Sequence, residues 1–203
     1  NSEVYELRLS DTLVKTLRTR TGPDSNPKIS PNGKLIAYTG FDDRYLGYQI
    51  SKLYVMNTDG TNARLVSQGF DRNIENFQWD SDSKGVYFQY TDSGDGKVAH
   101  MNLNGKVDII AEKLGGLSLG RPYNAAAFSV SNKGALAYTL GGAGHPADLA
   151  VSKNGKVKRI TSLNDDLFSY RNIGKVEEIN WKSSYDSIDI QGWVVAPPNF
   201  DPN

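Results

Sequence analysis

Three segments of this chain are copies of one another, and the interval between them limits the fold more than any other feature. Residues 29–39 open with Ile29, turn through Ser30, Pro31, Asn32, Gly33 and Lys34, and run on as Leu35, Ile36, Ala37, Tyr38 and Thr39. Residues 79–88 open with Trp79, turn through Asp80, Ser81, Asp82, Ser83, Lys84 and Gly85, and continue as Val86, Tyr87 and Phe88. Residues 128–139 open with Phe128, turn through Ser131, Asn132, Lys133 and Gly134, and continue as Leu136, Ala137, Tyr138 and Thr139. Each has an apolar residue, a polar turn and a strand-like run that reaches an aromatic. The period is about 50 residues, the range in which propellers and solenoids come first.

A second motif alternates with the first. Leu53, Tyr54, Val55 and Met56 lead to Asp59-Gly60; Ala99, His100 and Met101 lead to Asn104-Gly105; Leu149, Ala150 and Val151 lead to Asn154-Gly155. Each pair is followed by another short apolar run. Asp-Gly and Asn-Gly are strong hairpin signals, because both residues tolerate positive φ. Every unit therefore reads as four antiparallel strands, a to d, which is a propeller blade. The fold class is all-β, a partial β-propeller of four-stranded antiparallel blades. Residues 1–26 read as the c–d hairpin of a preceding blade plus linker, and residues 27–75, 76–126 and 127–162 as three blades. Three and a half blades do not close an ordinary ring, so the chain is expected to be a piece of something longer. Residues 163–203 break the repeat with two alternating strands that carry Trp181 and Trp193.

Composition excludes several function classes. The 203 residues hold 23 Lys and Arg against 23 Asp and Glu, without the basic surplus of a nucleic-acid domain. No run of about 18 apolar residues exists to span a membrane as a helix. With no Cys and two His, disulfides, thiolate catalysis and cysteine or multi-histidine metal sites drop out. Neither a metal nor a cofactor is expected. The N-terminus lacks a signal-peptide pattern; the compartment stays undecided between cytoplasmic and periplasmic.

The repeats, with Ser30 to Thr39 followed by Leu53 to Gly60, resemble the WD40-like propeller repeats of the TolB-like and prolyl oligopeptidase groups. The segment from Glu177 through Trp181, Tyr185, Trp193 and Pro198 resembles the entry hairpin of the peptidase domain in the prolyl oligopeptidase family, in its acylaminoacyl-peptidase branch. That resemblance implies a parent serine peptidase with an α/β-hydrolase domain beginning in residues 163–203. The propeller would gate access and shape the cavity for short peptide substrates, and it would contact the hydrolase domain within the chain. The rival is a TolB-like propeller that binds a protein partner without chemistry.

Candidate sites follow from motif and position. Gly116, Ser118 and Gly120 match the G-x-S-x-G nucleophile elbow, but an elbow joins a strand to a helix and Pro122 follows at once. No Asp or Glu lies between Ser118 and His145, so a flexible Gly-rich loop is expected and no residue here is catalytic. Asp80, Asp82 and Lys84 begin like a calcium loop, yet Lys84 and Thr91 stand where oxygen ligands are needed. Asp92, Ser93, Gly94 and Asp95 read as a solvated loop. His100 is expected to be structural, and His145 to sit in a flexible surface loop. Trp79, Trp181 and Trp193 are expected in core or interdomain packing. Antiparallel strands put the a–b and c–d turns at one end and the b–c and d–a loops at the other. The latter, residues 40–51, 68–76 and 114–124, are long and varied, and function concentrates in such loops. Arg44, Tyr45, Arg72, Arg121 and Tyr123 are the substrate-binding candidates, the arginines for a peptide carboxylate.

Overall fold

The computed structural model describes residues 2–116 and 126–201. A short hairpin, β1 (Tyr5–Leu7) and β2 (Val14–Thr16), precedes the first four-stranded antiparallel sheet. That sheet runs β3 (Asp24–Ile29), β4 (Leu35–Gly40), β5 (Lys52–Asn57) and β6 (Arg64–Leu65), in sequence order. The second unit is β7 (Glu75–Trp79), β8 (Gly85–Asp92), β9 (Asp95–Asn102) and β10 (Val107–Leu114). The third is β11 (Phe128–Val130), β12 (Leu136–Gly142), β13 (His145–Lys153) and β14 (Lys156–Arg159). A short helix, α1 (Asp165–Ser169), and the hairpin of β15 (Val176–Lys182) and β16 (Asp189–Val195) end the chain. The all-β expectation holds. Among the described residues α1 is the only helix, and none is long and apolar enough to cross a membrane.

The turn chemistry repeats with the sequence. At each a–b turn the first side chain accepts a backbone N–H: Ser30 Oγ from Leu35 (3.0 Å), Asp80 Oδ1 from Lys84 (2.9 Å) and Ser131 Oγ from Ala135 (3.0 Å). Short polar side chains favour turns for this reason. At the c–d turns only Asn154-Gly155 has positive φ at both residues, 51° and 73°. In the first two units Gly60 (92°) and Gly105 (86°) are left-handed while Asp59 and Asn104 before them are not. There Asn57 and Asn102 donate their N–H across a longer turn to the Thr61 and Lys106 carbonyls. The extra turn residues move the left-handed position onto the glycine, as in a type I turn closed by a bulge.

In the first two units the apolar runs are continuous because both faces of strands b and c are buried. In β4 and β5, Ile36, Tyr38, Tyr54 and Met56 pack with Val4 beneath the N-terminal hairpin. Their alternates Ala37, Leu53 and Val55 pack against Phe77, Val86, Phe88 and Tyr90 of the second unit. Val98, Ala111 and Leu114 then meet Leu136, Tyr138 and Ala150 of the third. Hydrogen bonds one repeat apart lock these layers: Trp79 Nε1 to the Lys28 carbonyl (2.8 Å), Asn32 N–H to Ser83 Oγ (3.1 Å), Gln78 Nε2 to the Phe128 carbonyl (3.0 Å) and Ser81 Oγ to the Asn132 carbonyl (3.1 Å).

One departure from separate blades positions the site. A bridge pair, Leu114 with Leu140, joins β10 to β12, so the second and third units form one sheet. Gly115 and Gly141 permit it: a Cβ on Gly115 would lie 2.6 Å from the Gly141 Cα. The Gly115 N–H donates to the Thr139 carbonyl (2.8 Å), and Thr139 Oγ1 donates to the Gly115 carbonyl (2.9 Å). Both clashing groups are backbone, so Gly115→Ala should cost about 1–3 kcal/mol in urea unfolding, the scale of overpacking. Gly144→Ala, with nothing near its Cβ, should stay within about 0.5 kcal/mol of wild type.

Candidate functional site

The candidate site lies at the end of the strands that carries the b–c and d–a loops. In the first unit that loop is long and internally ordered. Asp43 Oδ1 accepts from Gln49 Nε2 (2.8 Å) and the Tyr45 N–H (2.7 Å), and these bonds hold its carboxyl below the usual range. Tyr45 is left-handed (φ 58°) and exposed. Arg44 borders a cleft of about 400 Å³ with Tyr48 and Asp71. Beneath the loop, Arg20 stacks 4.2 Å over the Tyr54 ring, grips buried Asp24 through Nε (2.7 Å) and Nη2 (2.5 Å), and reaches Asp42 (2.9 Å).

Arg72 lies on the next d–a loop and is committed to the protein: its Nε donates to Asp92 Oδ1 (3.0 Å). Lys97 also bonds Asp92 (3.2 Å), and this, with Arg72, outweighs burial and depresses the Asp92 carboxyl. Arg44 and Arg72 both lie in loops at this end of the strands. Arg121, Tyr123 and Ser118 lie outside the described residues, as does most of the G-x-S-x-G motif.

The structure adds a polar rim that residue-by-residue inspection missed. Asn26 and Asn76 occupy equivalent bulges on the a strands, with φ of 53° and 44°. Asn26 Nδ2 donates to Thr39 Oγ1 (3.3 Å) and Asn76 Nδ2 to Gln89 Oε1 (3.2 Å); in the third unit the Ala127 N–H donates to Thr139 Oγ1 (3.1 Å). The signal was present, since both asparagines stand three residues before the apolar residue that opens the repeat. Between the first two units, Asn26, Asn73, Glu75 and Asn76 line a cleft of about 470 Å³. Burial raises the Glu75 carboxyl there.

The solvated Ser93-Gly94 segment is the two-residue turn of a hairpin, with φ of 51° and 77°. It seats the C-terminal hairpin: Gln191 Nε2 donates to the Ser93 carbonyl (3.0 Å), and a Cβ on Gly94 would fall 2.5 Å from Trp193 Cζ2 and Cη2. Trp193 and Trp181 remain about half exposed, at 50% and 47%. Trp193 borders a cleft of about 350 Å³ between β8, β10 and β12.

The calcium-like segment is an a–b turn, and Asp80 is engaged by His100 Nε2 (3.0 Å), whose ring lies 4.8 Å from Tyr87. His145 is the first residue of β13, after a tight turn, and not part of a loose loop. It stands with Asp148 and Asp165, their ligand atoms within 4.8 Å of one another. Arg159 occupies this cluster. Arg159 Nη2 pairs with Asp148 Oδ2 (2.5 Å), with Asp165 Oδ1, and lies 3.0 Å from His145 Nε2. The guanidinium supplies the cation, and Phe168 of α1 packs on the imidazole at 5.6 Å. Sequence separation hid this cluster, because α1 lies in what reads as linker.

No family model matches the chain. Dipeptidyl-peptidase 5 of Porphyromonas gingivalis is 30% identical over 210 residues, matching 100% of this chain and 29% of that protein. Dipeptidyl-peptidase 5 of Aspergillus fumigatus is 25% identical over 183 residues, covering 89% of this chain and 25% of that protein. The chain thus spans under a third of the length of these curated relatives. Among solved structures, Pyrococcus horikoshii acylaminoacyl peptidase superposes with a TM-score of 0.72 at 18% identity, over 95% of this chain and 28% of that one. The β-propeller domain of the Trilobed protease from Pyrococcus furiosus gives 0.54 at 12% identity, over 98% and 62%. The chain has the fold of a propeller segment and is similar in sequence to part of these peptidases. The resemblance to prolyl oligopeptidase-like peptidases is borne out along its whole length. The AtxE2 isopeptidase S527A variant with Astexin3-dC4 bound shares this propeller fold, with a TM-score of 0.65 at 17% identity over 97% of this chain and 30% of that one.

Within this propeller segment, buried Asp148 yields a pH-dependent prediction. Burial alone would raise its carboxyl. The Leu163 N–H (3.0 Å), Thr161 Oγ1 (2.7 Å) and Arg159 together hold it below the usual range. A depressed folded value adds stability above the unfolded pKa and loses it as pH falls through the folded one. Asp148→Asn should therefore lower the melting temperature at pH 7. The difference from wild type should shrink progressively below about pH 3.9, the free aspartate value.

Proposed function

We propose that this chain is the substrate-limiting propeller portion of a serine peptidase of the prolyl oligopeptidase type, acting on short peptides. The observation that carries the reading is the match to dipeptidyl-peptidase 5 through the whole chain, blades and C-terminal hairpin alike. In this reading residues 27–75, 76–126 and 127–162 are blades, and residues 163–203 lead into the α/β-hydrolase domain, whose Ser, Asp and His do the chemistry. The blades themselves contribute no nucleophile. Their part is access and orientation: the loop end faces the hydrolase domain and only short, flexible peptides enter between them.

Among the proposed substrate-binding residues, Arg44 is better placed than Arg72, because Asp92 already engages the Arg72 guanidinium. A guanidinium offers a peptide carboxylate two parallel charge-assisted bonds. Arg121, Tyr45 and Tyr123 are assigned to the same loop end by their place in the repeat.

The test is made on the longer protein this reading requires. It should release dipeptides from chromogenic dipeptidyl substrates and be labelled by an active-site fluorophosphonate. The 203-residue chain alone should do neither, Ser118 included. In the longer enzyme Arg44→Ala should raise KM for short peptides about tenfold, the scale of one lost charge-assisted pair, with kcat little changed. A longer protein that binds a protein partner but neither hydrolyses peptides nor takes the label would favour the TolB-like binding module instead.

A further inference from the structure

The cleft under Trp193 combines a flat aromatic wall with a wall built largely of glycine. Gly94, Gly96, Gly115, Gly141 and Gly142 all border it. For Gly94 the reason is local, since its φ is positive and the Trp193 ring leaves no room for a Cβ. Gly115 and Gly141 are required by their mutual approach. Gly142 is different: its backbone is not left-handed, and among the described residues a Cβ there would meet nothing within 4 Å. Neither turn geometry nor packing demands glycine at 142, and what its missing side chain leaves is open space in the cleft.

The indole is held in place before any ligand arrives. Its benzo edge sits on Gly94, and the Gln191–Ser93 bond fixes β16 to the same turn. One half of the ring remains exposed. The buried Gln89 amide, anchored by Asn76 (3.2 Å), supplies a polar group in the cleft. Asp95 and Lys113 on the lining cancel in charge, which gives no preference for a charged side chain. A volume of about 350 Å³ is at the lower end of ligand sites, about 300–1,000 Å³. That is room for a side chain and its backbone, and too little for a folded partner.

We propose that this cleft is a peptide subsite that takes an uncharged, ring-bearing side chain, that of Phe, Tyr or Pro, stacked on Trp193 opposite the glycine-rich wall. The proposal rests on the peptidase reading for its ligand class. It assigns to the C-terminal hairpin and the second and third units a joint role in choosing the peptide residue bound there. Offset stacking on the indole supplies the ring preference, and the Gln89 amide is placed to meet a peptide group.

The test uses the 203-residue chain labelled with 5-fluorotryptophan, whose three tryptophans give separate fluorine resonances; Trp193→Phe identifies the one that reports the cleft. Capped dipeptides containing Phe or Ala are titrated in. The Phe peptide should move the Trp193 resonance to saturation, leaving Trp79 and Trp181 in place, and the Ala peptide should not. Gly142→Leu fills the space and should weaken Phe-peptide binding about tenfold or more at an unchanged melting temperature. Should that substitution prove destabilising, the smaller Gly142→Ala should give a lesser loss of binding. An unmoved Trp193 resonance, equal responses to both peptides, or wild-type binding by folded Gly142 variants would overturn the subsite. Peptide hydrolysis by the longer enzyme without binding at Trp193 sinks the subsite alone. Binding at Trp193 by a protein that lacks hydrolytic activity sinks the peptidase reading and leaves the subsite standing.

Discussion

Burial of both faces of the middle strands is the constraint on which everything else depends. Ala37 and Tyr38 are adjacent and fully buried, yet they face different neighbours, one the second unit and the other the N-terminal hairpin. Val98 and Ala99 divide in the same way between the third unit and the first. Such a sheet has no solvated face, so a single unit cannot bury its apolar surface by itself. Magnitudes agree on what dominates. Removing a fully buried phenylalanine such as Phe88 costs about 3–5 kcal/mol, whereas one turn hydrogen bond contributes about 0.5–1.5 kcal/mol. The turns set direction and register, and the face-to-face packing holds the stack.

The stack in turn fixes where chemistry can sit. Side-chain-to-backbone bonds recur at separations of 50 or 51 residues, from Trp79 to Lys28 and from Gln78 to Phe128. They hold successive a strands in step. The Asn26 and Asn76 bulges therefore repeat at one end, beside the loops that carry Arg44 and Arg72. Variation is confined to residues outside this lattice of contacts, where loops change without disturbing the core.

The chain's exit is tied down twice. Arg159, Asp148, His145 and Asp165 fasten the start of the linker and α1 to the third unit. Gln191 and Trp193 then fasten the C-terminal hairpin to the turn of the second. Those two units are also the pair joined through Leu114 and Leu140. The hairpin and the clefted face thus form one continuous surface.

Much of the fold was legible because its determinants are local and repeated. The Ser30, Asp80 and Ser131 turns, the Asp-Gly and Asn-Gly signals and the apolar runs between them named the strands, their order and the propeller class. The site was less legible. Ser93-Gly94 contains the residues of a tight hairpin, but nothing nearby says that a distant indole will rest on its glycine, beside a hydrogen bond whose partners are 98 residues apart. Likewise His145 and Asp165 reach one another only when α1 folds back on β13, and Arg159 turns their cluster from a metal-like arrangement into an ion pair. The sequence determined the blades, because periodicity and turn chemistry act between near neighbours. Tertiary structure alone decided which glycines border a cleft, which charges are spent internally and which tryptophan faces open space, because each depends on side chains brought together from different repeats.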